Sequence, residues 1–451
     1  MKKNVNMLQG PLLRGVISYS IPIVLTGWLQ LLFNAADLMV VGQCRSGLSV
    51  GAVGATASLT NLIINLFLGL SVGVGVATAH GLGSNDDQAV HRTVHTAIPT
   101  AMICGLILTA VGVPFCGTFL EWMGTDPDFL PLSTLYMRIY FAGMTFNMVY
   151  NFAASILRAA GDTRSPLIFL AISGVVNVLL NLFFVIPCEM DVEGVALATT
   201  ISQALSAVLV IIALMRRTDA CRFSFKRMRI YKPQLGKILR IGLPAGLQSS
   251  MFAISNVLIQ SSVNSFGKVF VTGNSAAISI EGFVYVSFNA FMQATVNYTG
   301  QNVGAGQFRR VKKIFWTCLG CVVVVGGVMG SVAYLLGPTL LKFYIPDTPE
   351  AIRDGIFRLG MICLPYFICG MMEVGTGVLR GMGKSLSPTI ICVMCACVFR
   401  VIWILTVFRT YHTPFCLYIS YPISWVMAFV AQALVFFPAI NKLIKKAESQ
   451  C

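Results

Sequence analysis

Three acidic side chains lie inside long apolar stretches of this sequence: Asp37, Glu281 and Glu373. A carboxylate at membrane depth costs at least about 2.5 kcal/mol on insertion scales, so such a group usually faces a wet cavity or a charged partner and usually has a function. A carboxyl group in that position can bind and release a proton, or it can hold a cation. These acids are therefore the first candidates for ion or substrate binding.

Asp37 is the only acid at membrane depth in the first half of the chain. Asn34 lies nearly one helical turn before it on the same face of a predicted helix, and we expect its amide to hydrogen-bond the carboxyl group. Arg138 is the only basic residue at similar depth in this half. Asp37 is therefore predicted to face a cavity and to titrate. The alternative is an interfacial acid near the end of the helix.

Glu281 and Glu373 are the candidates in the second half. Phe288 and Gln293 follow Glu281 at helical spacing, and we expect these residues to line a substrate cavity. A hydrogen bond between helices is the alternative role for Glu281. Arg380 lies two turns after Glu373 on the same face, so a helix-end ion pair is the alternative for that acid.

Aromatic and methionine side chains are frequent along the helices that would line such a cavity, and Tyr140, Tyr150 and Phe288 are the examples we select. Aromatic faces attract organic cations, and methionine adapts to varied shapes. Aromatic residues of membrane helices also face lipid, which is the alternative for each of these residues.

The sequence carries no recognisable catalytic arrangement. None of its four histidines is paired with Ser, Cys or a buried carboxylate in a known pattern. The cysteine cluster at 392–397 has no neighbouring histidine, and its spacing spreads the thiols around a helix, so no metal site is expected. The glycine-rich run 69–83 indicates close helix packing, because no Lys-Ser or Lys-Thr pair follows it. We expect neither an enzyme nor a bound cofactor.

The composition is that of a membrane protein. The 451 residues are 56% hydrophobic and 11% charged, and the mean hydropathy is +0.78. A soluble protein carries about 25% charged residues, so this chain lacks the polar surface to cover a water-facing globule of its size. Most of the basic residues behind the net charge of +15 lie in loops between apolar runs. We therefore expect a lipid bilayer as the partner, and no nucleic acid.

Twelve apolar stretches approach the roughly 20 residues that a membrane-spanning helix needs. Their approximate ranges are 16–41, 53–79, 93–115, 132–157, 166–186, 195–215, 238–262, 271–300, 314–336, 357–379, 388–408 and 415–440. The two terminal segments and the even-numbered loops hold 23 Lys or Arg, against 5 in the odd-numbered loops. Because basic loops stay on the cytoplasmic side, both termini are predicted to be cytoplasmic.

The two halves of the sequence repeat. Residues 157–166 and 379–388 share Leu, Arg, Gly, Ser and Pro at an offset of 222, and the same offset pairs Pro22 with Pro244. Six spans precede the second copy, so both copies enter the membrane in the same sense. This predicts an all-α membrane protein in which two six-helix bundles are related by a parallel pseudo-two-fold repeat. The predicted domains are the bundles 1–215 and 238–451 and the basic linker 216–237.

The repeated residues are predicted to stabilise each bundle during movement. Arg158 and Arg380 stand where a helix meets a Gly-containing turn, and we expect each guanidinium to cap helix-end carbonyls and brace its own bundle. Pro22 and Pro244 are expected to have structural or gating roles. Arg400 lies well inside the eleventh span, where it either partners one of the acids or braces two helices.

Several motifs together resemble one transporter family over nearly the whole chain. These are the Leu-Arg-x-x-Gly turn of both halves, Pro22, Asp37 with the Val-Gly that follows it, the start of the sixth span at 194–199, and the segment 300–306. The sequence thus resembles the multidrug and toxic-compound extrusion (MATE) transporters. The resemblance implies two six-helix bundles around a V-shaped cavity, and export of organic cations driven by inward flow of protons or sodium ions.

The resemblance also implies roles for single residues. Asp37 occupies the family's first-helix acid position, and Asn177 occupies that of a fifth-helix Asn near the same cavity. Many relatives carry an acid four residues after that Asn, where this chain has Asn181. One branch of the family carries a Glu on the seventh helix, and this chain has none between 242 and 265. The acids of the eighth and tenth spans would then substitute for it.

The sequence as a whole predicts a monomeric antiporter in a bacterial plasma membrane, which exports organic cations in exchange for protons or sodium ions. A lipid-linked saccharide flippase of the same two-bundle plan is the alternative. Such a flippase would be expected to line its cavity with several basic residues, and here only Arg138 and Arg400 are candidates.

Overall fold

Helices form all the regular secondary structure in the residues that the computed structural model describes, which are 5–44, 47–346 and 348–449. The predicted all-α class is therefore confirmed. A helix satisfies its backbone hydrogen bonds internally, which an apolar surrounding requires. Arg45, one of the basic residues counted in the odd-numbered loops, lies outside the described residues.

The helices follow one another with short connections. Those of the first half are α1 (Leu12–Cys44), α2 (Gly47–Gly83), α3 (Asp87–Trp122), α4 (Leu130–Ala142), α5 (Met144–Ala159), α6 (Arg164–Val185) and α7 (Val192–Met215). Those of the second half are α8 (Lys232–Asn264), α9 (Lys268–Gly304), α10 (Phe308–Leu335), α11 (Gly337–Tyr344), α12 (Pro349–Cys363), α13 (Tyr366–Gly381), α14 (Leu386–Cys392), α15 (Phe399–Trp403) and α16 (Pro414–Glu448). Two π-helical segments, Val393–Val398 and Ile404–Phe408, flank α15.

Each of the twelve predicted spans coincides with one of these helices or with a consecutive set of them. Within the described residues, nine continuous helical segments are long and apolar enough to cross a membrane, and the pair α12 and α13, bent by 42°, makes a tenth. The predicted fourth and seventh spans do not meet that criterion. The fourth is divided into α4 and α5, with 13 and 16 residues, and the seventh, α8, carries many polar side chains.

The fourth and tenth spans are broken at the same position of the repeat. Helices α4 and α5 meet at Gly143, and α13 begins directly after Pro365, which is 222 residues further along the chain. Glycine weakens a helix, and proline cannot donate the backbone hydrogen bond that a helix interior needs. The repeat seen in the sequence therefore extends to a shared break in two helices.

The turns after Arg158 and Arg380 also share their geometry. Gly161 and Gly383 have φ angles of 83° and 78°. Their N–H groups donate to the carbonyl oxygens of Arg158, at 3.0 Å, and Arg380, at 2.8 Å. This left-handed backbone closes a helix and costs glycine no steric strain. The sequence therefore needs glycine at both places.

Replacing Gly161 or Gly383 by Ala should lower the free energy of unfolding by about 1 kcal/mol each, because a side chain is strained at this positive φ. Gly320→Ala is the matched control. Gly320 lies in α10 with open space around its Cβ position, so this change should be neutral or slightly stabilising. Thermal unfolding of the purified variants measures the difference. Equal midpoints for all three variants would contradict the helix-end role.

Contacts divide the chain into two units, and the boundaries fall inside α1 and α8. Unit 1 includes Trp28–Gly246, and unit 2 includes Val5–Gly27 and the chain from Leu247 onward. The predicted bundles are 1–215 and 238–451. They differ from the two units mainly because the first part of α1 belongs to unit 2 and the first part of α8 belongs to unit 1. The division by sequence repeat stays a prediction.

Glycines of α2 allow a close helix contact inside unit 1. A Cβ atom on Gly69 would lie 2.1 Å from the backbone nitrogen of Gly246, and one on Gly73 would lie 2.3 Å from the carbonyl oxygen of Ile238. These distances leave no room for a side chain. The predicted role of this glycine-rich run in helix packing is therefore confirmed.

The basic linker before α8 folds against α3. The N–H of Ser224 donates to His95 Nε2 at 3.1 Å, and the N–H of Tyr231 donates to Thr96 Oγ1 at 3.1 Å. The linker is shorter than predicted, because α8 already begins at Lys232. His95 thus has a structural partner in this segment.

Candidate functional site

Asp37 lies where three helices of unit 1 meet. Its carboxyl group accepts a hydrogen bond from Nδ2 of Asn181, on α6, and one from the side chain of Thr199, on α7. Both donors are neutral. The acid of α1 is thus held by dipoles and not by a charge.

The donors around Asp37 are linked to one another. Asn181 Nδ2 also lies 3.4 Å from Asn177 Oδ1, and Asn177 Nδ2 lies 3.4 Å from Thr199 Oγ1. Asn177 and Asn181 are both buried, and Asn181 is fully inaccessible. The Oδ1 atom of Asn181 is buried without a hydrogen-bond partner in the part of the chain that the structure describes. An acceptor therefore remains available beside the acid.

Two tyrosines of α4 complete the surroundings of Asp37. The rings of Tyr136 and Tyr140 stack at a centroid distance of 6.1 Å, and both hydroxyls interact electrostatically with Asp37. Tyr140 is hydrogen-bonded to Gln203 of α7. Tyr140 was predicted to line a cavity, and the structure places it next to the acid.

The helices that surround Asp37 contribute their side chains as pairs four residues apart. Such pairs lie on one face of a helix, so an otherwise apolar helix can present two polar groups at one place. The pairs are Tyr136 and Tyr140 on α4, Asn177 and Asn181 on α6, and Thr199 and Gln203 on α7. Sequence reasoning did not select Thr199 or Gln203 as site residues, although this spacing could have identified them.

Asn34 and Arg138 lie apart from the acid. The side chain of Asn34 is exposed, and none of the hydrogen bonds within the described chain joins it to Asp37. Arg138 is exposed and bonds the thiol of Cys116. Asp37 takes part in none of the three ion pairs that the described residues form. The acid can therefore change its charge without breaking an ion pair.

The site around Asp37 can bind a proton or a small cation. Its oxygen atoms come from a carboxyl group, two amides and a hydroxyl, all of which favour hard cations. A buried carboxylate is costly unless it is hydrogen-bonded. Here neutral donors reduce that cost without removing the negative charge, which keeps both the protonated and the ionised state accessible.

Glu281 in unit 2 has a basic partner, Arg358, that the sequence did not indicate. Its Oε2 accepts hydrogen bonds from Arg358 Nη2 at 2.7 Å and Nε at 3.2 Å, and its Oε1 accepts one from Tyr366 at 3.0 Å. The Arg358 side chain is 5% exposed and that of Glu281 is 12% exposed. The structure thus shows the alternative that the sequence allowed, a hydrogen bond between helices, and Arg358 balances the charge of Glu281. A role of Glu281 in substrate binding stays a prediction.

The ion pair is supported on its second side as well. Asn274 Oδ1 accepts hydrogen bonds from Arg358 Nη1 at 2.9 Å and from the Tyr418 hydroxyl at 2.8 Å. The Arg358 guanidinium also lies over the Tyr418 ring, 5.2 Å from its centroid. These contacts join α9, α12 and α16, so the pair stabilises the packing of unit 2.

The other predicted cavity residues of unit 2 are largely covered. Phe288 is fully buried and packs edge-to-face on Tyr366 at 4.9 Å. Gln293 donates to Asn289 Oδ1 at 3.2 Å on the same helix. Both lie on the helix that carries Glu281, as the sequence predicted.

Glu373 is the acid of unit 2 without a close basic partner. It is 7% exposed, and it forms none of the ion pairs in the described chain. Arg380 interacts with it electrostatically, but Arg380 Nη2 donates to Gln248 Oε1 of α8 at 3.0 Å. Arg380 therefore forms a hydrogen bond between α13 and α8 instead of the helix-end ion pair with Glu373 that the sequence allowed.

The residues predicted to brace the bundles have different contacts. The Arg380 guanidinium donates a hydrogen bond to the side chain of Gln248. Among the described residues it donates none to a backbone carbonyl. Arg158 is half-buried and lies near Tyr150. The Tyr150 hydroxyl donates to the carbonyl oxygen of Pro166 at 3.2 Å, so this tyrosine ties α5 to the start of α6.

The two repeated prolines lie inside helices. Pro22 is within α1 and Pro244 within α8. The hydroxyl of Thr26 donates to the Pro22 carbonyl oxygen at 2.7 Å. A proline inside a helix removes one backbone hydrogen bond, which weakens the helix locally.

A family model describes both halves of this chain. The model of the MatE family matches residues 22–183 and again residues 244–406. The chain belongs to the MatE family. The two matches begin at Pro22 and Pro244, so they reproduce the internal offset of 222 residues. The predicted resemblance to MATE transporters is thereby confirmed.

Relatives of this MatE protein cover most of its length. It is 26% identical over 389 residues to the probable multidrug resistance protein YpnP of Bacillus subtilis, which covers 86% of this chain and 87% of that protein. It is 25% identical over 401 residues to a protein of Shewanella oneidensis named FAD transporter, with 87% of each chain covered.

Solved structures of MATE transporters share the fold of this MatE protein. One is described as the outward-facing conformation of a multidrug resistance MATE family transporter of the MOP superfamily. It superposes with a TM-score of 0.91 at 21% identity and covers 99% of each chain. At that identity the likeness shows the fold, and this fold is the two-bundle plan of the family.

Proposed function

We propose that this MatE protein exports organic compounds, mainly cationic amphiphiles, in exchange for protons or sodium ions by alternating access. One observation carries the proposal: Asp37 is held in unit 1 by Asn181 and Thr199, and no basic side chain of the described residues is bonded to it. A titratable acid in this setting can couple the binding of an ion to the state of the transporter.

Asn181 is suited to both charge states of the acid. Its Nδ2 donates to the ionised carboxylate, and its buried Oδ1 has no hydrogen-bond partner. Rotation of the amide would let Oδ1 accept the proton of a neutral carboxyl group. Asn181 is therefore proposed to stabilise Asp37 before and after proton uptake.

Hydration of the site provides a link to conformational change. A carboxylate is favoured where water enters and disfavoured where the site is dry. A transporter that alternately opens and closes this region would release the ion in one state and retain it in the other. Binding of the coupling ion and of substrate would then favour different states.

Glu373 is the proposed contact for the cationic group of the substrate. It is buried without an ion-pair partner in the described chain, whereas Glu281 is neutralised by Arg358. Tyr285 interacts electrostatically with Glu373, and aromatic rings beside an acid suit organic cations. The lipid-linked saccharide flippase is not favoured, since the relatives of this chain include multidrug resistance proteins.

The proposed exchange can be tested in liposomes that contain the purified protein. An imposed proton or sodium gradient should drive ethidium, a fluorescent organic cation, against its own concentration gradient. An ionophore that collapses the ion gradient should stop this movement. Ethidium movement equal to that of protein-free liposomes under both gradients would overturn the proposal.

We propose further that the protein lies in the cell membrane with both termini and the basic linker in the cytoplasm. A cysteine in place of the exposed Lys226 should then escape an impermeant thiol reagent in intact cells and react once the cells are opened. A cysteine in place of the exposed Lys342, in an odd-numbered loop, is the matched control and should react in intact cells. The background lacks all fourteen native cysteines. Labelling of position 226 in intact cells would contradict this topology.

A further inference from the structure

Arg400 is a buried cation without an acidic partner. It is 3% exposed, and it forms none of the ion pairs among the described residues. A guanidinium stays protonated in proteins, so this charge cannot be removed by loss of a proton. The partnership with an acid that the sequence allowed is therefore not formed.

The contacts of Arg400 satisfy only part of its guanidinium. Its Nε donates to Ser424 Oγ at 2.9 Å, and its carbon Cζ lies 4.1 Å from the centre of the Tyr421 ring and 5.9 Å from that of Trp425. Nη2 is buried and has no hydrogen-bond partner among the described residues. The guanidinium is thus held by one hydroxyl and two aromatic rings, and its Nη2 donor is left unsatisfied.

The charges buried among the described residues of unit 2 leave an excess of one positive charge. Arg358, Arg380 and Arg400 are buried together with Glu373, and Glu281 is nearly so. Arg358 is neutralised by Glu281, and Arg380 lies within the electrostatic influence of Glu373. The uncompensated charge therefore belongs to Arg400. A buried charge of this kind is costly unless an opposite charge joins it.

The helix around Arg400 has unusual geometry. Two π-helical segments, Val393–Val398 and Ile404–Phe408, stand directly before and after the five residues that include Arg400. π-Helical turns are rare and occur frequently at functional sites. The helix geometry is independent of the charge count, and both observations point to Arg400.

We propose that Arg400 binds the anionic group of an aromatic substrate, with Tyr421 and Trp425 packing against the ring of that substrate. A planar guanidinium matches a carboxylate or a phosphate through paired hydrogen bonds. The inference rests on the proposed transport function, because a group covered in one state must become accessible in another. It extends the substrate class from cations to aromatic compounds that carry an anionic group.

Equilibrium binding of three naphthalene probes to the purified full-length protein tests this inference. The probes are 2-naphthoate, neutral 2-naphthamide and cationic 2-naphthylmethylammonium, which share one ring system and differ in charge. The wild type should bind naphthoate at least tenfold more tightly than naphthamide. Equal affinities for these two probes, or no measurable binding of naphthoate, would overturn the proposal.

Two substitutions that each remove one charge give effects of opposite sign. Arg400→Gln should weaken naphthoate binding at least tenfold, whereas Glu373→Gln should strengthen it, because a negative charge buried in the same unit is removed. A purely structural role of Arg400 does not predict this reversal. Naphthoate affinity that is unchanged in Arg400→Gln would refute the site.

Arg400→Lys keeps the positive charge and loses the planar donor edge. It should bind naphthoate less tightly than the wild type and more tightly than Arg400→Gln. If Arg400→Gln does not fold, the comparison of probes on the wild type and on Arg400→Lys still decides the question. Because these titrations use no ion gradient, their failure is distinct from a failure of coupled ethidium export.

Discussion

Asp37→Asn should abolish gradient-driven export of ethidium and leave the protein folded. Asparagine keeps the shape of the side chain and can still contact Asn181 and Thr199, but it can neither bind a proton nor carry a negative charge. The expected result is that accumulation falls to the level of protein-free liposomes. The measurement is the fluorescence of ethidium in reconstituted liposomes under an imposed proton or sodium gradient.

The control for this variant is Asp126→Asn. Asp126 is an exposed acid in the turn before α4, where its Oδ1 accepts the N–H of Asp128 at 2.9 Å. The same chemical change at this position should leave export close to that of the wild type. If Asp37→Asn still accumulates ethidium with unchanged dependence on the ion gradient, coupling resides elsewhere and Glu373 becomes the next candidate.

Glu281→Gln should lower the free energy of unfolding by about 3–5 kcal/mol, because it leaves the buried Arg358 without its counter-charge. The double variant Glu281→Gln with Arg358→Met should recover most of this loss, since no unpaired charge then remains buried. Denaturation of the purified variants, followed by circular dichroism, gives the comparison.

An exposed ion pair provides the matched control for Glu281. The side chains of Arg309 and Glu448 are 80% and 50% exposed and meet at 2.5 Å. Arg309→Gln should change the free energy of unfolding by less than about 1 kcal/mol, because water already solvates both charges. A similar small effect for Glu281→Gln would show that the buried pair does not hold α9 to α12.

Much of the fold follows from the sequence because its signals are local or repeated. Long apolar stretches indicated the helices, and the offset of 222 residues indicated the repeat. The break at Gly143 in the fourth span was missed, because a single glycine is tolerated in many helices. The break at Pro365 in the tenth span was missed as well, although proline is a stronger signal for a helix break and the repeat relates the two positions.

The candidate site was predicted only in part. Asp37 was found because an acid among apolar residues is conspicuous, and Asn181 because of the family pattern. Asn34 was misplaced because a separation of three residues leaves two side chains about 60° apart around a helix. The partner of Glu281 was missed since Arg358 lies 77 positions away in the chain. The spacing of residues within one helix cannot reveal a contact between two helices that are distant in the sequence.

The most direct test of coupling at Asp37 is to run the exchange in the opposite direction. Liposomes containing the protein are loaded with ethidium at equal pH and equal sodium concentration on both sides, and trapped indicators report proton and sodium movement when external ethidium is diluted. The wild type should move one of these ions against the direction of ethidium flow, and Asp37→Asn should move neither. Ion movement of wild-type size in Asp37→Asn would contradict the assignment of coupling to this carboxyl group.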